Sequence, residues 1–516
     1  MLKSAISDAA DLIFYSCSEK DLERELFDLG VFLPLQSYLH TLTGDERHKA
    51  LANTLASALG PELLLNNSIR ELISQHKNIP CPKRWTPGGR SEAAFCADVG
   101  LPEFYSGTFK MTQRNAVEHL PSKPPGVSLL DFQRELINKT YEHLVAGESA
   151  LISIPTGAGK TIVATNLTIQ LVRENIFGNM VWVAHTEELC EQALNTFKKT
   201  WAEHSGLPEL NIFRMWGRYF NKSIQIGHIS GSENTLSDQP ASIIISTPQS
   251  LLKLLDKGDR GSEAFRGVVE GSLTIIDEAH RAGAASYLKI LRSLDAIMPN
   301  RAPQVVGLSA TPIRNAFSEH AASDSHALKE IFKNLVEPSE TLAGKTYNDA
   351  MVELGVLAMP RFFHSNITSL PDIAKYIAEK IKQKRKTNPV LIFCATIAEA
   401  QALSSLLFSQ SISSATISSQ TSSSSRSQLL SSFASGYFQV LCNCELLTTG
   451  YDLPSIDMIF ILRETSSFVL YKQMIGRALR GPRFGGTETA DIYLLGVELD
   501  FPMNVTSSEF IAQVWS

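Results

Sequence analysis

Nine short apolar runs, rich in β-branched residues, recur between residues 150 and 496, and stretches with helical spacing separate them. A strand that is apolar at every position must be buried on both faces. Such strands alternating with helices are typical of parallel sheets covered by helices. The sequence therefore predicts an α/β fold. The runs are ALISI (150–154), MVWVAH (180–185), SIIIST (242–247), LTIID (273–277), QVVGLS (304–309), PVLIF (389–393), QVLCN (439–443), MIFIL (458–462) and IYLLG (492–496).

The nine runs fall into two blocks, because a polar stretch with helical spacing separates them at about 315–365. Ahead of both blocks, helical apolar spacing dominates, and the run PSKPPG at 121–126 marks a boundary. We therefore expect two parallel-sheet domains in tandem, preceded by a mainly helical domain. The predicted divisions are a helical N-terminal accessory domain (1–120), a first α/β domain (121–320), a connection (321–365) and a second α/β domain (366–516).

A serine-rich segment at 404–435 has two interpretations. Its composition alone indicates a flexible linker. Against that interpretation, Ala415–Ile417 resembles a short strand, and Arg426–Phe433 has helical apolar spacing. We favour a folded segment.

Composition excludes several classes of protein. With 516 residues, 44% hydrophobic and 19% charged, the chain lies far from disordered sequences. Two Asp interrupt the first twenty residues, and no later stretch is apolar for about 18 residues, so neither a signal peptide nor a membrane span is expected. Seven scattered Cys without a CxxC pair favour a reducing, cytoplasmic setting. A net charge of −6 means that any nucleic acid must be bound by a local basic cleft.

A phosphate-binding loop is predicted at SIPTGAGKT (153–161), between an apolar strand and a helical run. Backbone N–H groups of such a loop face phosphates, Lys160 can reach the β and γ oxygens, and Thr161 can bind Mg²⁺. Ile154 replaces the first Gly of the general pattern, which leaves a chance Gly-Lys-Thr turn as the alternative. The candidate nucleotide-binding residues of this loop are Thr156, Gly157, Gly159, Lys160 and Thr161.

A second motif supports the first. LTIIDEAHRA ends a β-rich run with adjacent carboxylates, Asp277 and Glu278. Asp277 at a strand end can hold Mg²⁺ through water, and Glu278 can orient and deprotonate an attacking water. A solvated acidic turn is the alternative, and the upstream phosphate loop argues against it.

Taken together, these motifs resemble the superfamily 2 helicases and translocases of the DEAD/DEAH group, in the branch of type III restriction subunits and RadD-like helicases. The resemblance covers about 125–500. It makes LLDFQREL a Q motif whose Gln133 reads adenine, VWVAHTEELCEQA (181–193) motif Ia, STPQSLL (246–252) motif Ib and GLSATPIR (307–314) motif III. It implies that both α/β domains are RecA-like. Many relatives carry Arg where this chain has Leu130, so adenine specificity is the weaker inference.

The second α/β block continues the resemblance. PVLIFCATIAEAQ (389–401) is similar to motif IV, LLTTGYDLPSID (446–457) to motif V and YKQMIGRALRG (471–481) to motif VI. Motif VI contains Gln473, Arg477 and Arg480, and a spacing of three places both Arg on one face of a helix. In the family these arginines reach the γ-phosphate across the cleft. An ordinary cationic helix face is the alternative for motif VI taken alone.

The resemblance implies further roles. Gly450 and Asp452 of motif V would contact nucleotide. Three residues would couple the nucleotide and nucleic-acid sites, and four would contact nucleic acid. The coupling residues are His280, Ser309 and Thr311, and the nucleic-acid residues are His185, Thr247, Thr396 and Thr448.

Two functions are consistent with these motifs. The first is an ATP- and Mg²⁺-dependent helicase or translocase, with DNA favoured over RNA because the restriction-like branch mostly acts on DNA. The second is an ATP-switched subunit that clamps DNA or a protein without unwinding. Residues 1–120, with 12 basic and 15 acidic side chains, favour contact with a companion protein, in DNA repair or anti-phage defence. Deletion of that region is expected to leave an ATP-binding core.

Overall fold

The computed structural model describes residues 2–86, 88–106, 117–120, 129–204, 206–221, 223, 241–256, 268–269, 271–297, 303–312, 321–342, 345–384, 388–444, 446–447 and 455–501. Within these residues the fold is α/β, with two mainly parallel sheets and a helical N-terminal region. The fold class expected from the sequence is thereby confirmed. No helix in this part of the chain is long and apolar enough to cross a membrane, and all seven Cys are free thiols.

The N-terminal region is built from helices. Their bounds are α1 (Leu2–Ser16), α2 (Glu19–Asp28), α3 (Phe32–Leu39), α4 (Gly44–Leu59), α5 (Asn67–Lys77) and α6 (Arg90–Val99). Residues 62–74 have helical apolar spacing but do not form one helix. A 3₁₀ turn spans Gly60–Leu65, and α5 starts afresh because the Asn66 side chain accepts the backbone N–H of Ile69 at 3.1 Å.

The first sheet has eight strands in the order β1-β4-β5-β3-β6-β7-β2-β8, all parallel except that β1 and β4 are antiparallel. Its strands are β1 (Val117–Leu120), β2 (Ala150–Ser153), β3 (Asn179–Val183), β4 (Leu210–Met215), β5 (Ala241–Ser246), β6 (Leu273–Asp277), β7 (Val305–Ser309) and β8 (Asn334–Val336). The helices that follow along the chain are α7 (Asp131–Val145), α8 (Lys160–Arg173), α9 (Glu187–Ala202), α10 (Pro248–Asp256), α11 (Ala285–Ile297), α12 (Ala321–Phe332), α13 (Ser339–Leu342) and α14 (Tyr347–Glu353).

The second sheet has six parallel strands in the order β11-β12-β10-β13-β14-β9. They are β9 (Met359–Ser365), β10 (Val390–Phe393), β11 (Ser414–Ile417), β12 (Val440–Asn443), β13 (Met458–Ile461) and β14 (Thr489–Leu495). Its helices are α15 (Leu370–Gln383), α16 (Ile397–Ser409), α17 (Ser423–Ala434) and α18 (Phe468–Gly476).

Some strands were not predicted. Strands β8 and β9 lie within residues 321–365, the stretch assigned to a connection, yet each is the outer strand of a sheet. Alternating exposure along β9 hides it from a search for continuous apolar runs. Strand β4 was missed for another reason. Arg214 interrupts its apolar run in the sequence, although this side chain is only 2% exposed.

The serine-rich segment is folded, as expected. Ser404 lies buried in α16, β11 includes Ala415–Ile417, and α17 includes Arg426–Phe433. The N-cap of α17 is Ser422, whose hydroxyl accepts the backbone N–H of Ser425 at 3.3 Å. Small hydroxyl side chains here fill buried positions and cap helices, and the linker interpretation is wrong.

The N-terminal helices pack on the second sheet's helices. One apolar cluster contains Leu51 and Leu55 of α4 together with Leu403 and Leu407 of α16. A buried hydrogen bond of 2.6 Å joins the hydroxyls of Thr54 and Ser405 in the same contact. The N-terminal region and the second sheet therefore share one core.

Candidate active site

Five neighbouring strands of the first sheet bring the motif residues to one edge. Strands β5, β3, β6, β7 and β2 are adjacent and parallel, so that their carboxyl ends lie side by side. Ligands of open α/β sheets bind at this edge. The segments that leave this edge are the phosphate loop after β2, the turn after β6 and the loops that follow β3, β5 and β7. The turn after β6 contains the sequence DEAH (277–280) and is called the DEAH turn.

The phosphate loop has the backbone that phosphate binding requires. Gly157 and Gly159 both have φ of +87°, a left-handed conformation that favours glycine. A Cβ on Gly159 would lie 2.9 Å from Nε2 of Gln133. Ile154, at the position of the missing Gly, is fully buried and donates its backbone N–H to the Ser309 carbonyl at 2.9 Å. The backbone at position 154 thus links the start of the loop to β7, and the Ile154 side chain is accommodated in the core.

Gln133 supports this loop from α7. Its Nε2 donates to the Ala158 carbonyl at 3.2 Å, and its Oε1 accepts the Leu130 backbone N–H at 3.1 Å. The side chain is 3% exposed. Both ends of the amide are bonded within the protein, so Gln133 joins the start of α7 to the phosphate loop.

Lys160 and Glu278 form a buried ion pair. Lys160 Nζ donates to Glu278 Oε1 at 2.7 Å, and each side chain is 11% exposed. A buried charge is costly without a partner. Each residue therefore neutralises the other, and a phosphate in the loop would compete with Glu278 for the Lys160 ammonium.

The two carboxylates of the DEAH turn differ in acidity. Burial and the Glu278 charge raise the pKa of Asp277. Burial also disfavours charge on Glu278, but Lys160 leads a set of positive neighbours that hold the pKa of Glu278 well below its usual range. Glu278 also has φ of 51°, and its N–H donates to Asp277 Oδ1 at 2.9 Å. A left-handed non-glycine residue is typical of functional sites.

His280 connects Glu278 to β7. Its Nδ1 lies 3.4 Å from Glu278 Oε2 and 3.5 Å from Ser309 Oγ. Burial lowers the pKa of His280 to about 4, so the ring is neutral at pH 7. The Ser309 hydroxyl donates to the Thr311 carbonyl at 2.8 Å and accepts the Thr311 N–H at 3.1 Å. The three predicted coupling residues thus form one hydrogen-bonded series.

Motif VI lies against the phosphate loop. A Cβ on Gly476 would lie 2.7 Å from Cβ of Thr156, and one on Gly157 would lie 3.8 Å from Cα of Arg480. The positive charge of Arg477 contributes, after that of Lys160, to the low pKa of Glu278, so the guanidinium lies on the same side of the site as this carboxylate. Helix α18 and the residues after it thus bring Arg477 and Arg480 of the second α/β domain close to the phosphate loop of the first.

The spacing of Arg477 and Arg480 suggested that both lie on one face of a helix. In the structure they do not. Helix α18 ends at Gly476, and Arg477 caps it. Arg480 instead forms a β-bridge with Leu357, and Gly481 donates its N–H to the Val356 carbonyl at 2.9 Å. Backbone pairing with residues 355–358 draws the chain out of the helix.

Gln473 is buried in α18, 6% exposed. Its Nε2 finds no hydrogen-bond partner in the part of the chain that the structure describes. Buried amide donors usually have partners, so this donor is suited to a ligand oxygen.

A cavity of about 890 Å³ opens beside the carboxyl ends of β3 and β5. Two predicted nucleic-acid residues, His185 and Thr247, line it, together with Lys253 and the carboxylates of Glu187 and Glu188. Thr247 also accepts the Ser250 N–H at 3.4 Å, at the start of α10. The cavity therefore combines hydroxyl, imidazole and ammonium groups with an acidic rim.

The remaining predicted residues lie elsewhere. Thr396 caps α16 on the second sheet, where its hydroxyl accepts the Glu399 N–H at 3.0 Å. Thr448, Gly450 and Asp452 fall outside the described residues.

Arg281 was missed by the sequence analysis. Its guanidinium Nη1 lies 3.3 Å from Nε2 of His185, which joins the DEAH turn to the cavity wall. The residue directly follows the sequence DEAH (277–280), so the signal was its position next to that motif.

The residues present suit ATP and Mg²⁺. The two left-handed glycines leave room for phosphates, and the Lys160 ammonium provides their counter-charge. Thr161 and Asp277 offer the oxygen ligands that Mg²⁺ prefers, at the start of α8 and the end of β6. Within the described residues, there is no group of three or more His, Cys, Asp or Glu side chains that could hold a metal by themselves.

Two family models match the chain. Residues 126–314 match "Type III restriction enzyme, res subunit", and residues 371–482 match "Helicase conserved C-terminal domain". Together these segments span more than half of the chain and contain all the motifs described above.

Several curated proteins are similar over about two thirds of the chain. The "Putative ATP-dependent helicase IRC3" of Saccharomyces cerevisiae is 28% identical over 378 residues, 68% of this chain and 49% of that protein. The "Putative mitochondrial ATP-dependent helicase irc3" of Schizosaccharomyces pombe is 26% identical, covering 69% of this chain and 55% of its own length. The EcoKI type I restriction endonuclease subunit of Escherichia coli is 23% identical, and the match covers 69% of this chain and 34% of that protein. The chain thus spans about half the length of the first two relatives.

Among solved structures, the ATP-dependent Type ISP restriction-modification enzyme LlaBIII bound to DNA is similar, with a TM-score of 0.54 and 18% identity. The match covers 76% of this chain and 29% of that one. At this identity the similarity concerns the fold.

Proposed function

We propose that this chain, which belongs to superfamily 2 of the helicases in the branch of the type III restriction subunits, is an ATP-driven motor on nucleic acid. The observation that carries the proposal is the contact of motif VI with the phosphate loop, Gly476 against Thr156. A nucleotide in that loop would touch both sheets. Its hydrolysis can therefore change their separation.

The proposed chemistry follows from the charges of the site. ATP takes the Lys160 ammonium away from Glu278 and frees that carboxylate to accept a proton from the attacking water. Arg477 and Arg480 then stabilise the charge that develops on the transferred phosphate. Gln473 would donate its unpaired amide N–H to a phosphate oxygen. Mg²⁺ held by Thr161 and Asp277 would neutralise phosphate charge.

We further propose DNA as the substrate, in preference to RNA. Support comes from relatives: a type I restriction subunit and a protein named "ATP-dependent DNA helicase fml1" are both similar in sequence. We also propose that the protein acts in the cytoplasm, in DNA repair or in anti-phage defence.

A companion protein is proposed for the N-terminal helices. Among the described residues of this region, four large apolar side chains are solvent-exposed, Tyr15, Phe27, Leu33 and Leu65, at 69%, 60%, 61% and 42%. Exposed apolar surface is a feature of protein interaction sites. With more acidic than basic side chains, this region is better suited to a protein than to a phosphate backbone.

The direct experiment measures ATP turnover with single-stranded DNA, duplex DNA and RNA at several salt concentrations. We expect stimulation by DNA and a binding constant that falls steeply with salt, because phosphate contacts release counterions. A strand-displacement assay with ATP and with a non-hydrolysable analogue separates a helicase from an ATP-switched clamp. Absence of stimulation by every nucleic acid would overturn the motor proposal.

A further inference from the structure

A single side-chain contact joins the DEAH turn to the cavity beside β3. Arg281 closes the turn Ala279–Arg281 and donates its backbone N–H to the Glu278 carbonyl at 3.0 Å. Its guanidinium Nη1 lies 3.3 Å from Nε2 of His185, which lines the cavity of about 890 Å³. Arg281 therefore contacts the catalytic turn with its backbone and the cavity wall with its side chain.

This contact determines where the His185 proton lies. An arginine can only donate, so Nε2 of His185 accepts, and the proton of the neutral ring is on Nδ1. Burial, followed by the Arg281 charge, lowers the pKa of His185, which keeps the ring neutral at pH 7. Arg281 thus selects one tautomer of the cavity histidine.

Among the residues that the structure describes, none accepts from the resulting Nδ1–H group. Nδ1 of His185 is buried and without a hydrogen-bond partner among the residues described. Native proteins rarely leave a buried donor unpaired, and such a group calls for a functional explanation. An acceptor brought by a ligand, with a small shift of the cavity wall, would complete the arrangement.

The lining of the cavity indicates the chemistry of that ligand. Gln249 and Ser250 offer hydrogen-bond donors, and Lys253 offers a positive charge. Glu187 and Glu188 also line the cavity, and Glu188 Oε1 lies 3.6 Å from Nη1 of Arg426 in helix α17. A strand whose oxygens accept hydrogen bonds fits these groups, so the expected ligand is a nucleic-acid strand.

We propose that Arg281 is a positioning residue. It links the binding of a nucleic-acid strand in this cavity to the conformation of the DEAH turn, which contains Glu278. The inference rests on the function proposed above. A strand oxygen that accepts from Nδ1–H makes Nε2 a stronger acceptor, because successive hydrogen bonds polarise one another. The stronger bond to Arg281 then holds the turn, with Glu278 at its left-handed φ of 51°, in the orientation that attack on ATP requires.

The test compares ATP turnover with and without saturating DNA in the full chain. Arg281→Met keeps the length of the side chain and removes the donor, whereas Arg281→Lys keeps a donor and the charge. Arg292→Met, an exposed arginine of the next helix, is the matched control. We expect Arg281→Met to reduce the DNA stimulation at least about fivefold, with KM for ATP unchanged, and to reduce turnover without DNA by a smaller factor.

A double-mutant cycle makes the test specific for the pair. His185→Leu should lower the stimulation, and the double variant His185→Leu/Arg281→Met should be no worse than the more affected single variant. Arg281→Lys should recover part of the stimulation. A strand of abasic nucleotides distinguishes the ligand atoms: stimulation persists for a backbone oxygen and is lost for a base oxygen.

Contrary results are distinguishable. Equal losses with and without DNA in Arg281→Met would mean a structural role in the turn, and additive effects in the cycle would mean independent residues. Either result overturns the inference while the wild-type protein still responds to DNA. If the wild-type protein itself shows no stimulation by nucleic acid, the proposed function fails, and the inference fails with it.

Discussion

At the scale of single residues, the first prediction concerns Glu278 and its partner Lys160. The two side chains pair at 2.7 Å, and in the proposed mechanism ATP would take Lys160 and leave Glu278 to accept a proton. Glu278→Gln keeps an oxygen that can accept from Lys160 but removes the base. We expect turnover to fall by about 10²–10⁴-fold with ATP binding retained, measured by hydrolysis and by nucleotide titration. Hydrolysis at the native rate would contradict the assignment of the base.

Arg477 makes a separate prediction at the same scale. Its contribution is largest where charge develops in the transition state, so Arg477→Ala should reduce turnover by about 10³–10⁵-fold while ATP affinity changes little. Arg483→Ala, in the turn just beyond motif VI, is a matched control and should remain close to wild type. Equal losses of affinity and turnover would instead indicate a ground-state phosphate clamp.

At the scale of elements, helix α18 depends on one glycine for its contact with the phosphate loop. A Cβ at position 476 would lie 2.7 Å from that of Thr156, so Gly476→Ala must push the two apart. An overpacking cost of about 1–3 kcal/mol that falls on the closed cleft corresponds to a roughly 5- to 150-fold loss of turnover. Gly178→Ala is the control, because a Cβ at that position would lie more than 4 Å from every described atom outside the adjacent residues. Unchanged turnover in Gly476→Ala would mean that the contact is not made during catalysis.

Sequence patterns predicted the elements that are buried on both faces and missed those that are not. Strands β2, β3, β5, β6 and β7 are continuous apolar runs, and their order in the chain carried the motif positions with it. Strand β9 was missed because its exposure alternates, and β4 because Arg214 is held within the sheet next to Tyr219. The contact between Arg281 and His185 spans 96 positions, and no local spacing encodes it.

At the scale of the whole molecule, the N-terminal helices and the second sheet have a common core. Leu51 and Leu55 of α4 pack in one cluster with Leu403, Leu406 and Leu407 of α16, all of them buried. The sequence suggested that residues 1–120 could be removed to leave an ATP-binding core. Their removal would expose the apolar face of α16, so we now expect a truncated chain whose second sheet is destabilised, although the phosphate loop of the first sheet would remain.

The shared core makes a prediction that needs only the full chain. Leu55→Ala removes a fully buried side chain of α4 and should cost about 2–5 kcal/mol in the free energy of unfolding. Because its cluster includes Val390 of β10 and Val440 of β12, amide hydrogen exchange should accelerate in those strands as well as in α4. Leu308→Ala, buried in the first sheet's separate cluster, should leave exchange in β10 and β12 unchanged. If Leu55→Ala accelerates exchange only within the N-terminal helices, the two regions unfold independently, and the helices are an accessory module that merely rests on the motor.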